Sequence, residues 1–322
     1  MSNILILGRK EIRDALRSRR FLMLVLILSG ALVASVWIGS VSFGVKMHDY
    51  NRYLNALPTS LKAQALKSPQ LFPLTLLRAG IEYLEILGAL FALLIGYSSI
   101  ARERSSGTSL LLLSRPVSKN QILLGKVLGL STVWLSVLIV NFVAAIVALL
   151  TIGNARMAVI DYERILICVL FTFIYLLFWT TLAVVMGAYF QRPVRAIYAG
   201  ISLWLTAVLI LPQIGDTMDP DNQVPGGLFA SLGIAKANEI AVLSHFHTFD
   251  VIRNGIEVSS ITKLFERISF AFLGIKDKYN QVALRPVFAA MNTSIFGILG
   301  FTIAIFALTF SLTKSSKFLR RS

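Results

Sequence analysis

Five stretches of this sequence are apolar, free of charged residues and at least 20 residues long. A helix rises about 1.5 Å per residue, so each stretch can cross the roughly 30 Å hydrocarbon core of a bilayer. The five stretches are Phe21–Phe43, Val127–Ala155, Ile165–Gln191, Ala196–Gly215 and Pro286–Thr313. A sixth, Gly80–Ala101, is apolar except for Glu82 and Glu85. The sequence therefore predicts an all-α, polytopic membrane protein with six transmembrane helices.

The overall composition agrees with this fold class. Hydrophobic residues make up 56% of the chain and charged residues 15%, whereas soluble proteins average about 45–50% and about 25%. With helix start and stop signals included, the six spans are predicted at residues 21–43, 80–101, 125–150, 165–189, 196–214 and 286–313. No internal repeat is visible, so residues 1–322 are expected to form a single transmembrane domain.

The charged residues set the orientation. Six spans place both termini on one side of the membrane, and that side holds 17 of the 31 Lys and Arg residues but only 3 of the 16 acidic residues. Basic residues near span ends are enriched on the cytoplasmic side. We therefore expect both termini in the cytoplasm and the protein in the plasma or inner membrane.

The net charge of +15 raises the question of nucleic acid binding. The basic residues lie in short segments next to the spans, where membrane topology and anionic lipid account for them. We therefore expect membrane lipid, and no nucleic acid, as a partner of these charges.

One charged segment, residues 101–126, links two apolar runs and is broken by turn-forming residues. Gly107 and Pro116 interrupt helix formation on either side of a run of four leucines. Ser118 and Gln121 form a capping-box pattern, which predicts a new helix that continues into the next span. The residues between Gly107 and Pro116 are expected to form a short helix, whose leucines would bind in an apolar groove of another protein.

The order of residues in this segment resembles the cytoplasmic loop between the second and third spans of ABC-2-type transporter permeases. The resembling pattern is R-E-R-x-x-G-T-x-x-L-L-L-S-R-P-V-S-x-x-x-I-L-x-G-K. The segment is similar, among others, to that of members like the permease of the nitrous-oxide-reductase maturation system. In that family the loop carries a coupling helix that docks on a separate ATP-hydrolysing subunit.

The resemblance implies a coupling region at residues 101–120. The residues that it assigns to contact with an ABC ATPase subunit are Arg102, Glu103, Arg104, Gly107, Thr108, Leu110, Leu111, Leu112, Leu113, Arg115 and Pro116. ATP and Mg²⁺ would be held by that subunit. A second copy of the permease, or a paralogue, would complete the pathway, because one chain supplies only half of it.

Residues 1–20 form a second family-like feature. Apolar positions from Ile4 to Leu16 alternate with basic ones, which predicts an amphipathic helix at the membrane interface. The sequence of residues 1–20 also resembles the interfacial connecting helix at the start of ABC-2-type permeases. A generic basic flank that only sets topology is the alternative interpretation.

Residues 44–79 and 216–285 are predicted to be external. The first contains three prolines and is read as one or two short helices over a loop. In the second, apolar residues recur at helical spacing from Ile261 to Ile275, while Lys263, Glu266 and Arg267 are expected to face away from the apolar stripe. Such a helix either lies on the outer leaflet or packs on the spans. We expect short external helices that cap the pathway rather than a separate domain.

Four polar residues within the spans are candidates for the pathway: Glu82, Glu85, Asn141 and Asn292. Ionisable groups inside a span often have a function. Glu82 has a structural alternative, since Arg78 lies one turn before it and could form an ion pair at headgroup level. Glu85 has the same two interpretations. Asn141 and Asn292 could instead bridge helices through hydrogen bonds.

The chain lacks the residues of an enzyme. No segment fits the nucleotide-binding pattern G-x-x-x-x-G-K-[ST], so ATP hydrolysis is expected only in a partner. The histidines His48, His245 and His247 lack a carboxylate or cysteine set to complete a metal site, and Cys168 is the only cysteine. We expect no catalytic residue, metal or cofactor in this chain.

The main functional prediction is a permease subunit of an ATP-binding-cassette transporter, and more specifically an exporter. One alternative is a mechanotransmission module that passes ATP-driven motion to an external accessory protein through residues 216–285. An ion-driven carrier or membrane enzyme is a third class, but the sequence lacks broken helices with midplane carboxylates or a cluster of catalytic side chains.

Overall fold

In a computed structural model, the residues described are 3–58, 72–105, 117–151, 157–190, 192–218, 231–233, 247–280 and 282–313. These residues form helices and turns and contain no strand, which confirms the all-α prediction. The helices are α1 (Asn3–Leu16), α2 (Arg19–Ala56), α3 (Arg78–Tyr83), α4 (Ala89–Ser105), α5 (Lys119–Thr151), α6 (Val159–Tyr189), α7 (Pro193–Trp204), α8 (Leu211–Thr217), α9 (His247–Ser259), α10 (Ile261–Phe272) and α11 (Leu284–Thr313).

Within the described residues, six helical segments are long and apolar enough to cross a membrane. These first to sixth spans are Arg19–Ala56, Pro73–Arg104, Lys119–Thr151, Val159–Tyr189, Val194–Thr217 and Leu284–Thr313. They alternate in direction, so the bundle has a proximal end, which carries α1, and an opposite, distal end. The segment predicted to be external at residues 44–79 is helical at both ends, because the first span continues past residue 43 to Ala56 and the second begins at Pro73 rather than at residue 80.

The helix starts follow the capping residues in the sequence. The side chain of Ser118 accepts a hydrogen bond from the backbone N–H of Gln121 at 3.2 Å, and the Gln121 side chain accepts one from the Ser118 N–H at 3.1 Å. This reciprocal pair confirms the predicted capping box at the start of the third span. Ser18 caps the first span in a similar way, accepting from the N–H of Phe21.

Two spans contain a π-helical turn that their sequences do not predict. The turn in the second span is Leu84–Gly88, between α3 and α4, and the turn in the fifth is Leu205–Ile210, between α7 and α8. A π turn inserts one residue into the helix and leaves carbonyl groups without their regular partners, and such turns are frequent at functional sites.

The fourth span occupies the centre of the bundle. Its residues Tyr175, Leu176 and Trp179 are completely buried, and it packs on the second, third, fifth and sixth spans and on α10. The second span approaches it closely at Gly96, where an added methyl group would lie 2.7 Å from the carbonyl oxygen of Thr180. Gly96 is therefore one of the small residues that permit close helix packing.

Helix α10 packs on the spans at the distal end instead of standing apart from them. Leu264, Phe265 and Ile268 are completely buried, and the ring of Phe265 stacks on that of Tyr175 with 4.5 Å between centroids. Lys263 lies on the polar side of α10, away from the apolar stripe, yet this residue is only 5% exposed. The end of the fifth span covers it, and its ammonium group pairs with Asp216 at 2.8 Å.

Arg164, near the start of the fourth span, secures the end of α10. Its buried guanidinium donates hydrogen bonds to the carbonyl oxygens of Phe272, Tyr279 and Val282. These carbonyls belong to the last turn of α10 and to the chain that leads into the sixth span. A cation at this position satisfies acceptors that a helix C-terminus leaves without partners.

Candidate functional site

Lys126, in the third span, forms the centre of a buried cluster of charges at the proximal end. Its side chain is 2% exposed, and its ammonium nitrogen lies 2.6 Å from Glu11 Oε1 and 3.0 Å from Glu103 Oε2. The nitrogen also donates to the carbonyl oxygen of Ser99 at 3.3 Å. A lysine ammonium has three hydrogens, so these three acceptors satisfy all of them.

Glu103 joins a second lysine to this cluster. Its Oε1 accepts a hydrogen bond from Lys10 Nζ at 2.6 Å, while its Oε2 faces Lys126. Partial burial lowers the pKa of Lys10, but the hydrogen bond and charge of Glu103 outweigh it and leave that pKa above its ordinary value. The charge cluster, defined as Lys10, Glu11, Glu103 and Lys126, therefore contains two positive and two negative charges.

Small residues allow α1 to come close enough to the third span for these pairs to form. An added methyl group on Gly129 would lie 2.6 Å from the carbonyl oxygen of Gly8 and 2.7 Å from Glu11 Cβ. One on Gly125 would lie 2.6 Å from Leu7 Cβ. Glycines four residues apart are a common basis for close packing of membrane helices. They bring the carboxylate of α1 beside the lysine between them.

The two arginines that flank Glu103 bind other helices. Arg102 donates to the carbonyl oxygen of Asp14 at 3.0 Å, near the end of α1. Arg104 donates to the carbonyl oxygens of Ala188, at 2.9 Å, and Phe190, at the end of the fourth span. Basic side chains at helix C-termini satisfy the last carbonyls and interact favourably with the helix dipole. Three consecutive residues thus connect the second span to α1, the third span and the fourth span.

These ion pairs and hydrogen bonds join the helix ends at the proximal end of the bundle. Breaking a buried ion pair on one side typically costs about 3–5 kcal/mol, so the connected helix ends resist separation. Residues 106–116 connect the end of the second span to the start of the third. A force applied to that connection would therefore move all of the helices joined at the charge cluster.

Several residues predicted to contact the ATPase lie outside the described residues. They are Gly107, Thr108, Leu110, Leu111, Leu112, Leu113, Arg115 and Pro116. Their role stays a prediction. The motif assigns Glu103 to contact with the ATPase and does not predict its ion pairs with Lys10 and Lys126. The sequence did not lead to Glu11 or Lys126, although a single lysine between Gly125 and Gly129 in an apolar segment is a usable signal.

The structure separates the four candidate pathway residues. Glu82 forms the ion pair with Arg78, with 2.9 Å between Oε1 and Nε, and both side chains are largely exposed. Asn141 donates to the carbonyl of Val137 in its own helix, at 2.8 Å, and borders a cavity of about 20 Å³ among the first three spans. Asn292, in the sixth span, is exposed. These positions do not converge on one site within the chain.

Glu85 lies inside the bundle, in the π turn of the second span, and only 7% of the residue is exposed. Side chains from two other spans bind the backbone of this turn. Tyr175 Oη donates to the carbonyl oxygen of Glu85 at 2.7 Å, and Trp204 Nε1 donates to that of Ile86 at 3.3 Å. The fourth and fifth spans therefore stabilise the irregular turn next to this carboxylate.

Metal-binding chemistry has no support among the residues that the structure describes. They contain no group of three or more His, Cys, Asp or Glu side chains that could hold a metal ion. His245 lies outside the described residues, so the absence of a metal site stays a prediction.

Comparison with known proteins identifies the family to which these features belong. Residues 5–321 match the ABC-2 family transporter protein family. The chain belongs to the ABC-2 family of transporter proteins. This membership agrees with the six membrane-spanning helices of the structure.

Two curated relatives are similar to part of the chain. The chain is 28% identical over 149 residues to the probable ABC transporter permease protein NosY of Stutzerimonas stutzeri, which is 46% of either chain. It is also 28% identical over 146 residues to the protein of the same name from Pseudomonas aeruginosa strain PAO1, which is 45% of either chain. The matched region thus spans just under half the length of these relatives.

Proposed function

We propose that this ABC-2 family permease is the membrane subunit of an exporter, and that residues 102–116 dock on its ATPase subunit. The charge cluster supports this proposal, because one of its members, Glu103, lies within the segment that resembles the family's docking loop. Closure of the ATPase dimer would move the docking segment. The cluster would convert that movement into a coordinated displacement of α1 and the second and third spans.

The connection of Arg104 to the fourth span extends the same path. The second span reaches from the proximal cluster, past Gly96 in close contact with the fourth span, to the π turn around Glu85. A rigid helix with contacts along its length transfers movement at one end to the other. We propose that two copies of the permease, or one copy and a paralogue, form the pathway between them.

We also propose that the protein lies in the plasma or inner membrane and that its proximal end, with both termini, faces the cytoplasm. This orientation is supported by the excess of basic residues at the proximal span ends. It places the docking segment on the side where ATP is available. ATP and Mg²⁺ would bind in the partner and not in this chain.

The docking proposal is tested by the variant Leu111→Asp. A carboxylate buried in an apolar groove costs several kcal/mol, which weakens a micromolar complex, worth about 8 kcal/mol, by orders of magnitude. We expect the ATPase subunit to be lost when the tagged variant is purified in mild detergent. Leu232→Asp is the matched control, because Leu232 is 63% exposed at the distal end. Full retention of the ATPase by a correctly inserted Leu111→Asp variant would refute docking through this segment.

A further inference from the structure

A charged cavity of about 760 Å³ opens at the distal end of the bundle. It is lined by the start of the second span, the end of the fifth span, α9, α10 and the residues after α10. Its volume lies within the range of about 300–1,000 Å³ that is typical of ligand sites. This cavity lies at the end of the molecule opposite to the charge cluster.

The described lining of this distal cavity contains more basic than acidic side chains. Five are Lys or Arg and three are Asp or Glu. Each acidic residue already has a basic partner in the lining: Lys263 pairs with Asp216 and Glu266, and Arg267 pairs with Glu257. Glu82 offsets Arg78 from outside the lining. The exposed Lys276 adds a positive charge at the edge.

An apolar groove of about 560 Å³ adjoins the distal cavity along the outer face of the fifth span. Gln213 and Thr217 line both spaces. From Thr217 the groove extends back to Leu209 along Ile214 and Ile210. Eight residues of helix correspond to about 12 Å, most of the way from the headgroup level to the middle of a roughly 30 Å hydrocarbon core.

The combination fits an amphiphile at the level where membrane lipids lie. Lys and Arg side chains bind phosphate oxygens, and the excess of positive charge favours an anionic headgroup. The apolar groove offers the adjoining surface that an acyl chain would cover. A free phosphate would use the cavity but would leave the groove unoccupied.

We propose that the distal cavity and the adjoining groove bind one anionic phospholipid from the leaflet at the distal end. The headgroup phosphate would lie near Lys276 and Arg78, and an acyl chain along Ile214. The site does not depend on ATPase docking, since it lies at the distal end of the bundle and the docking segment lies at the proximal end. It goes beyond the permease function by assigning a lipid ligand to residues outside the coupling path.

Native mass spectrometry of the purified, delipidated full-length chain tests this site. The probes are phosphatidylglycerol, phosphatidylcholine, glycerol 3-phosphate and inorganic phosphate, each added at the same concentration. We expect a phosphatidylglycerol adduct on the wild-type chain and a weaker phosphatidylcholine adduct. Lys276→Glu should lose the phosphatidylglycerol adduct. Lys46→Glu, at an exposed position in the distal part of the first span, should keep it.

A second pair of variants tests the acyl-chain groove. Ile214→Trp fills the groove and should also remove the phosphatidylglycerol adduct, whereas Ile303→Trp, at a 67% exposed position of the sixth span, should not. Equal phosphatidylglycerol binding by the wild type and Lys276→Glu would overturn the proposal. Binding of inorganic phosphate or glycerol 3-phosphate with the same occupancy as the lipid, unaffected by Ile214→Trp, would also overturn it, because the cavity would then be a site for free phosphate.

Discussion

The ammonium group of Lys126 lies 2.6 Å from a carboxylate oxygen of Glu11, and both side chains are almost completely buried. These residues are 115 positions apart in the chain. Their pairing joins the amphipathic N-terminal helix to the third span, directly beside the end of the second. The helix α1 is therefore part of the packed bundle as well as an amphipathic segment.

We predict that Lys126→Met strongly destabilises the protein. The substitution leaves the Glu11 carboxylate buried without its partner, which typically costs about 3–5 kcal/mol. The melting temperature in detergent should fall well below that of the wild type. Lys46→Met, which removes an exposed lysine, should leave it unchanged. The double variant with Glu11→Gln should recover part of the loss, and a melting temperature of Lys126→Met equal to that of the wild type would contradict the burial of the pair.

Gly129→Ala should separate α1 from the third span. The added methyl group would lie 2.6 Å from the backbone oxygen of Gly8, and overpacking of this kind costs about 1–3 kcal/mol. Gly300→Ala is the matched control in the sixth span, because its added methyl group meets no atom within 4 Å. We expect thermal unfolding at a lower temperature for Gly129→Ala only. Equal effects of the two substitutions would show that the close approach is not required.

Tyr175→Phe should loosen the π turn of the second span. It removes the hydroxyl that donates to the carbonyl of Glu85, and an unsatisfied buried acceptor costs about 1–3 kcal/mol. We expect faster amide hydrogen exchange in peptides that contain residues 84–90. Tyr198→Phe removes a hydroxyl at a position that is 68% exposed and should leave this exchange unchanged. Unaltered exchange in both variants would mean that Tyr175 does not hold the turn.

Single cysteines in a Cys168→Ser background test the proposed orientation. A membrane-impermeant maleimide applied to intact cells should label a cysteine at Asn222 and should not label one at Ser316. Both positions should react after the cells are lysed, which controls for the reactivity of each thiol. The reverse pattern in intact cells would invert the topology.

The sequence predicts the spans well, because apolar length alone decides whether a segment can cross the bilayer. It predicts their ends less well. The first helix continues to Ala56 because polar residues such as Lys46 and His48 can stay helical where the hydropathy falls. Likewise, the π turn of the second span accepts hydrogen bonds from Tyr175 and Trp204 in other helices, and no local pattern reveals those donors.

The site was partly predictable for the same reason. The resemblance singled out Glu103 through a local motif, but as a contact of the ATPase. Its pairing with Lys126, and that of Lys126 with Glu11, depend on the packing of three helices. Helical periodicity placed Lys263 on a polar face, and it does lie there. The end of the fifth span, with Asp216, covers that face. Helical periodicity cannot predict such a tertiary contact.

We propose that Glu103 transmits the movement of the docked ATPase to the spans. Glu103→Gln removes the charge that binds Lys10 and Lys126 without altering the leucines of the docking segment. The most direct measurement is the ATPase rate of the purified complex in lipid, for this variant and for Glu82→Gln, whose exposed ion pair lies in the same span. We predict that the ATPase still co-purifies with Glu103→Gln but that stimulation by the permease falls about tenfold, with no change for Glu82→Gln. Full stimulation of the ATPase by a stably folded Glu103→Gln variant would contradict the account.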